Sequence, residues 1–297
     1  MPSHSHQEEH PSHLSKMMLW LLLYVFSVSL LSSLLAPPLY FVIDHLWPHV
    51  FPFRRIFNRA FVISIPLALL PWMKYWGILN LRRLGLIHSG WWKSLFLGCS
   101  LGLISLAPFL LANVFFGFRQ WQVDLPPEKL AEILGSSFLV GLLEETIFRG
   151  ALLHAQKDYI GRKTLLWAFS ISIIFGAAHF VQGSDLHEPV SFFSGFNQWD
   201  RPSPHFENPE GLIRLFCLIG VGFSLSCLTL RTSTLWPAIG LHMGWVIIMR
   251  LSDRLTTNPT HEWSIWFGQD IGTGIPVLIF LILLSILFLR IPEMCES

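Results

Sequence analysis

The chain has 297 residues, 52% of them hydrophobic and only 13% charged, with a formal net charge of +1. Soluble globular domains carry about 25% charged residues, so this deficit, with 25 Phe and 13 Trp, points to an integral membrane protein. No basic excess marks a nucleic-acid partner, so that class is set aside.

The first sixteen residues, "MPSHSHQEEHPSHLSK", are polar, with four histidines and two prolines. They read as a disordered tail in which no fixed spacing preorganises a metal site. From Met17 the chain turns apolar, in a run too long and too poorly preceded by basic residues for a cleaved signal peptide. A membrane-crossing helix needs about 20 predominantly apolar residues. Segments 17–43, 57–79, 94–117, 131–154, 164–183, 211–230, 233–251 and 270–290 meet that need. The first is expected to bend or break at Pro37-Pro38, and "RTS" alone separates the sixth from the seventh. The expected fold is all-α: a polytopic membrane helix bundle of about eight transmembrane helices around an intramembrane cavity. Residues 17–297 form a single transmembrane domain in this reading. Trp72, Trp76, Trp91, Trp92, Trp121, Trp167, Trp236, Trp263 and Trp266 fall near span ends, where interfacial belts form. Basic residues divide almost evenly between the two sides, and the connections at 80–93 and 157–163, the most purely basic, favour cytoplasmic termini. Cys99, Cys217, Cys227 and Cys295 have neither metal nor disulfide spacing. The loop 182–210 carries Phe192, Phe193, Phe196, Trp199 and Phe206, and reads either as a cavity cap or as rings lying in the headgroup layer.

The stretch "FLVGLLEETIFRGALL" (138–153) places Glu144, Glu145 and Arg149 within a proposed span. Each ionisable group at a helix centre opposes insertion by roughly 2.5–3.5 kcal/mol, so such groups face a bundle interior or a wet cavity. Glu145 and Arg149 are four residues apart and can pair on one face. Glu144 is rotated by about 100° from Glu145 and is left to face something else. His179, in "SIIFGAAHF", and His242, in "WPAIGLHMGWVII", lie in other spans and are the candidates to meet it. Gly240 and Gly244 form a G-x-x-x-G step for close packing, with His242 near the opposite face. Arg214 and Arg250 sit near span ends, where they can snorkel, and are given no role.

These residues resemble a known family. "EETIFRG" is similar to the E-E-x-x-x-R motif of the type II CAAX prenyl endopeptidase and bacteriocin-processing family of intramembrane proteases. "FGAAH" resembles its F-x-x-x-H motif, and "GLHMGWV" its H-x-x-x-N motif, over a core of about 130–250. The resemblance implies that Glu144 is the base and shares a water with His179. It also implies that His242 polarises the scissile carbonyl, with Glu145 and Arg149 shaping the site or positioning substrate. Val246 departs from the pattern, standing where the family has an asparagine that works with the preceding histidine on the oxyanion. Losing one such donor costs about 10²–10³ in turnover. Activity is then reduced, supported by another donor, or absent. No H-E-x-x-H, G-x-S-G or G-x-G-D pattern supports another protease chemistry. The metal question stays open: Glu144, His179 and His242 would be the ligands of zinc or another divalent ion, although metal-independent glutamate chemistry is favoured. The expected activity is endopeptidase hydrolysis near the C-terminus or propeptide of a peptide or lipidated protein at the cell membrane, with the lipid bilayer as its setting. The alternatives are a catalytically impaired scaffold or immunity protein, and a proton-coupled transporter. The sequence lacks the matched, interrupted repeats expected of the transporter.

Overall fold

The computed structural model describes residues 12–122, 125–185, 189–199, 208–257, 266, 268 and 270–292. The tail reading over 1–11, Cys295, Trp263 and parts of the loop 182–210 lie outside the described residues. Among the described residues, eight helices of fifteen or more residues follow one another: α1 (Ser12–Leu46), α2 (Phe53–Tyr75), α3 (Trp91–Phe115), α4 (Pro127–Glu145), α5 (Thr164–Ala178), α6 (Pro209–Thr232), α7 (Trp236–Leu255) and α8 (Ile275–Arg290). The class is all-α; among the described residues the only β pairing is an isolated bridge between Trp121 and Thr256.

Several boundaries differ from those read off hydropathy. Helix α1 starts at Ser12, inside the polar stretch, and continues through Pro37 and Pro38. Bilayer helices tolerate proline where neighbours satisfy the freed backbone groups. Helix α4 ends at Glu145, and Thr146–Ala151 forms a π-helical turn. The "RTS" break is real: Thr232 ends α6, and Ser233 caps it with φ 52° while its N–H donates to Thr229 O at 3.0 Å. A left-handed residue at this place stops the helix and turns the chain.

The chain forms two compact units. The smaller contains the described chain up to Trp72 with 157–167 and 183–199. In it the aromatic loop is tied down at Trp199, whereas Phe192 and Phe193 remain largely exposed. Trp199 lies between Phe57 and Phe61, at ring separations of 5.8 and 6.2 Å, and donates its indole N–H to Ser33 Oγ at 2.8 Å. Trp72 and Trp167 are buried, so these two are core residues instead of interfacial anchors.

The larger unit contains Met73 to Gln156, 168–182 and the described chain from 208 onward. Its principal contact is α3 against α7, and glycine makes it. A methyl group on Gly240 would strike the Leu95 carbonyl oxygen, and one on Gly244 the Cys99 carbonyl oxygen. Reciprocally, Gly98 meets the Pro237 carbonyl and Gly102 meets the backbone of Leu241 and Gly244. The G-x-x-x-G step of α7 therefore docks on a second one, Gly98–Gly102, in α3. Leu106, Leu110, Leu225, Leu228, Leu241, Trp245 and Leu281 continue the core across α3, α6, α7 and α8.

Among the described residues, four helices are long and apolar enough to cross a membrane: α1 from Leu14 onward, α2, α3 and α6. Helix α8 is apolar but has 16 residues. The other three, α4, α5 and α7, are those that carry or lead directly into Glu144, His179 and His242. Their shortfall is physical: charge interrupts α4 and α7, and α5 has only 15 residues.

Candidate active site

The site begins where α4 changes pitch. Leu152 N–H bonds to Ile147 O at 3.1 Å, five residues back, which is the widened hydrogen bond of a π turn. Such turns occur mostly inside α-helices at functional sites. Here the turn follows directly on Glu144 and Glu145 and buries Phe148, Arg149, Gly150 and Ala151. Gly150 packs closely here: a Cβ there would lie 3.2 Å from Leu84 O and 3.1 Å from the Leu235 side chain.

Glu145 and Arg149 are fully buried and joined by Nη1–Oε1 at 3.0 Å. The same Glu145 oxygen accepts from His242 Nδ1 at 2.8 Å. Arg149 Nη2 donates to Gly222 O on α6 at 3.0 Å. One carboxylate thus ties an arginine to a histidine on another helix. The guanidinium also lies over the Phe175 ring, 4.4 Å from its centroid, where the electron-rich face favours a cation.

Glu144 occupies the other face. Its Oε2 is 4.0 Å from His179 Nε2 and 3.9 Å from His242 Nε2. Both separations are too long for a direct hydrogen bond and suit a bridging water molecule. The histidines are held from behind. His179 Nδ1–H donates to Phe175 O at 2.8 Å, and His242 Nδ1–H to Glu145. A carbonyl or carboxylate acceptor fixes the proton on Nδ1, so both Nε2 atoms are directed at Glu144. Phe175 forms the floor, with ring separations of 4.7 Å to His179 and 6.2 Å to His242. Gly222 lets α6 approach it, since a Cβ there would lie 3.2 Å from the ring.

These groups open into a cavity of about 160 Å³, lined by Glu144, His179, His242, Phe175, Trp245 and Val246 at one end and by Arg214, Asp270 and Thr273 among its other polar groups. Side-chain exposure separates the roles: 30% for Glu144 and 35% for His179, against none for Glu145 and Arg149.

Residues 126–248 match the family model described as Type II CAAX prenyl endopeptidase Rce1-like. This segment belongs to that family. No curated protein and no solved structure matches the chain. The Rce1-like family is one of proteases, and with four apolar helices the chain is an integral, multi-pass membrane protein. The matched segment holds all five candidate residues, Glu144, Glu145, Arg149, His179 and His242.

Within the Rce1-like segment, Val246 lines the cavity and offers no hydrogen-bond donor. Trp245 Nε1, its neighbour, is already committed to Ser105 Oγ at 2.9 Å. The remaining side-chain donors among the described lining residues are the two Nε2 positions, when protonated, Arg214, and Thr273, whose hydroxyl donates to Asp270 O at 2.8 Å.

Glu144, His179 and His242 offer the donor types of a three-ligand zinc site. Their spacing does not fit one. With bonds near 2.1 Å, ligand atoms around tetrahedral zinc are about 3.4 Å apart, whereas these oxygen–nitrogen separations are 3.9 and 4.0 Å. No group of three His, Cys, Asp or Glu among the described residues is arranged to hold a metal ion.

Two features were missed in the sequence. The π turn leaves no hydropathy signal. Arg214, assigned only to snorkelling, lines the cavity and pairs with Asp270 at 3.5 Å. The Arg214–Leu218–Val221 spacing along one helix face was the signal available for it.

Proposed function

We propose that the chain is an intramembrane endopeptidase that hydrolyses a peptide bond of a membrane-associated substrate with water activated by Glu144 and His179. The observation supporting this reading is the convergence of two Nε2 atoms on a single oxygen of Glu144. Water held there donates one hydrogen to Glu144 and the other to His179 Nε2, leaving a lone pair for the scissile carbonyl carbon. Attack transfers a proton to Glu144. The carbonyl oxygen becomes an oxyanion, stabilised by His242 Nε2–H. In this role His242 carries protons on both ring nitrogens, with Glu145 as its counter-ion. Collapse of the intermediate breaks the carbon–nitrogen bond, and Glu144 returns its proton to the departing amine. Water is thereby divided between the new carboxylate and the new amino terminus. Arg149 acts only through Glu145 and is a positioning residue.

The charges balance in this scheme, with Glu144 and Glu145 facing Arg149 and protonated His242. A neutral cluster suits a low-dielectric setting far better than an isolated carboxylate does. The reading includes eight membrane crossings over 17–297, cytoplasmic termini and residence in the cell membrane.

Comparison of C-termini and propeptides between cells carrying the wild-type chain and cells carrying Glu144→Gln should reveal substrates. The purified Glu144→Gln and His179→Ala proteins should then cleave such a substrate at under a hundredth of the parental rate. Parental rates in both would end the peptidase reading. Val246 favours a second reading, a non-catalytic scaffold or immunity protein that keeps the architecture. It predicts unchanged termini in the cellular comparison together with a phenotype on deletion of the chain.

A further inference from the structure

Arg214 is the only arginine or lysine among the described residues lining the cavity. Arg149, the other cation of the site, is fully buried and committed to Glu145 and Gly222. Arg214 is bound less firmly. Its partner Asp270 is 3.5 Å away, longer than the roughly 2.7–2.9 Å of a close charged hydrogen bond, and the two side chains are 39% and 40% exposed. A solvated pair of this kind contributes little on its own and exchanges readily for another carboxylate.

Its position is also defined. Arg214, Leu218 and Val221 form one stripe of α6 along the cavity wall. At the far end of that stripe, Gly222 O accepts from Arg149, so the charged cluster is level with Val221–Gly222. From there to Arg214 the helix rises about 10 Å. An extended peptide covers that distance in about three residues. Leu218 and Val221 make that stretch of α6 apolar, and Val277, Phe280 and Leu281 add apolar surface to the same cavity.

We propose that Arg214 is a specificity-determining residue that binds a substrate's free C-terminal carboxylate, displacing Asp270, with a short apolar C-terminal segment lying along α6 towards Glu144. This rests on the peptidase reading for its consequence, and its binding part is measurable without cleavage. The guanidinium fork matches a carboxylate with two parallel hydrogen bonds, which an amide end cannot reproduce.

The probe is one synthetic leucine-rich hexapeptide made twice, with a free carboxylate and with a C-terminal amide. Binding is measured to the full chain carrying Glu144→Gln, so that the peptide survives. The acid should bind at least about tenfold more tightly than the amide, as loss of a charged hydrogen bond requires. Adding Arg214→Gln should remove that difference. Adding Asp270→Asn should strengthen acid binding several-fold and leave the amide unchanged, which a folding defect would not produce. Equal behaviour of acid and amide, whether both bind or neither does, overturns the proposal, as does acid preference that survives Arg214→Gln. Cleavage of a validated substrate by the wild-type chain, lost in Glu144→Gln, is followed separately. Acid-selective binding without such cleavage sinks the peptidase and keeps the anchor, whereas Glu144-dependent cleavage with equal binding sinks the anchor alone.

Discussion

Replacing Glu145 by alanine removes the shared partner of two buried groups and separates structural from chemical roles in the motif. Arg149 has no exposed side-chain surface and, once Glu145 is gone, keeps Gly222 O and the Phe175 and Phe148 rings but no carboxylate in direct contact. Breaking a buried ion pair by deleting one member costs about 3–5 kcal/mol, because the remaining charge is uncompensated. His242 Nδ1 also loses its acceptor, a further loss of about 1–3 kcal/mol that overlaps with the first. A total near 5 kcal/mol corresponds to a fall in melting temperature on the order of 10–20 °C for a domain of this size. Glu144→Gln should behave oppositely. Glu144 Oε2 makes no hydrogen bond among the described residues, so its neutralisation should shift stability by under about 1 kcal/mol while abolishing hydrolysis. The double variant Glu145→Leu with Arg149→Met removes both charges and should recover most of the stability. It should stay inactive, because His242 is no longer held. Thermal unfolding in detergent, alongside substrate hydrolysis, reads all three. A Glu145→Ala protein melting within about 2 °C of the parent would refute the account of that pair as a buried structural link.

Three further outcomes follow from the same geometry. Val246→Asn, which places an amide donor on the cavity wall, should raise turnover about ten- to hundredfold in a steady-state assay if oxyanion stabilisation limits the reaction; an unchanged rate would show that another donor already serves. Gly102→Leu and Gly240→Leu should each destabilise the larger unit by at least about 1–3 kcal/mol in thermal unfolding, since α3 and α7 cannot keep their approach around a side chain. Phe175→Leu should reduce kcat with little change in KM and lower stability by about 1–2 kcal/mol, because Arg149 and His179 lose the ring they share.

Much of this was legible in the sequence, and the limits have physical causes. Composition and hydropathy located each of the eight helices, because apolar runs of helical length admit few other structures in a bilayer. The same measure misplaced ends by several residues: it took α4 through to residue 154, and nothing in residue polarity distinguishes an α turn from a π turn. It found the G-x-x-x-G step of α7 but not its partner in α3, since pairing of two small-residue faces is a tertiary fact. Glu144, His179 and His242 stood out because ionisable groups in apolar runs are costly. The bond from Glu145 to His242 did not, because spacing within one helix suggested only Arg149. Arg214 was overlooked for the converse reason: an arginine near a span end is inexpensive and drew no attention.

The three ionisable residues of "EETIFRG" therefore impose a specific requirement on the fold. A helix carrying them gains nothing from lipid at that level, and α4 indeed falls outside the helices able to cross a membrane by length and apolarity. Its compensation comes from other helices: His242 on α7, the Gly222 carbonyl on α6, and the Phe175 ring on α5. The two helices that carry charge among their apolar residues, α4 and α7, are thus joined through Glu145 and His242. This shared polarity joins α4 to α7, with the Phe175 ring of α5 lying on Arg149, while the apolar α3 supports α7 through the glycine contact. The site is consequently a cause of the local packing as well as its product. Stability and chemistry meet at Glu145, whose single oxygen serves both the buried arginine and the histidine that faces Glu144.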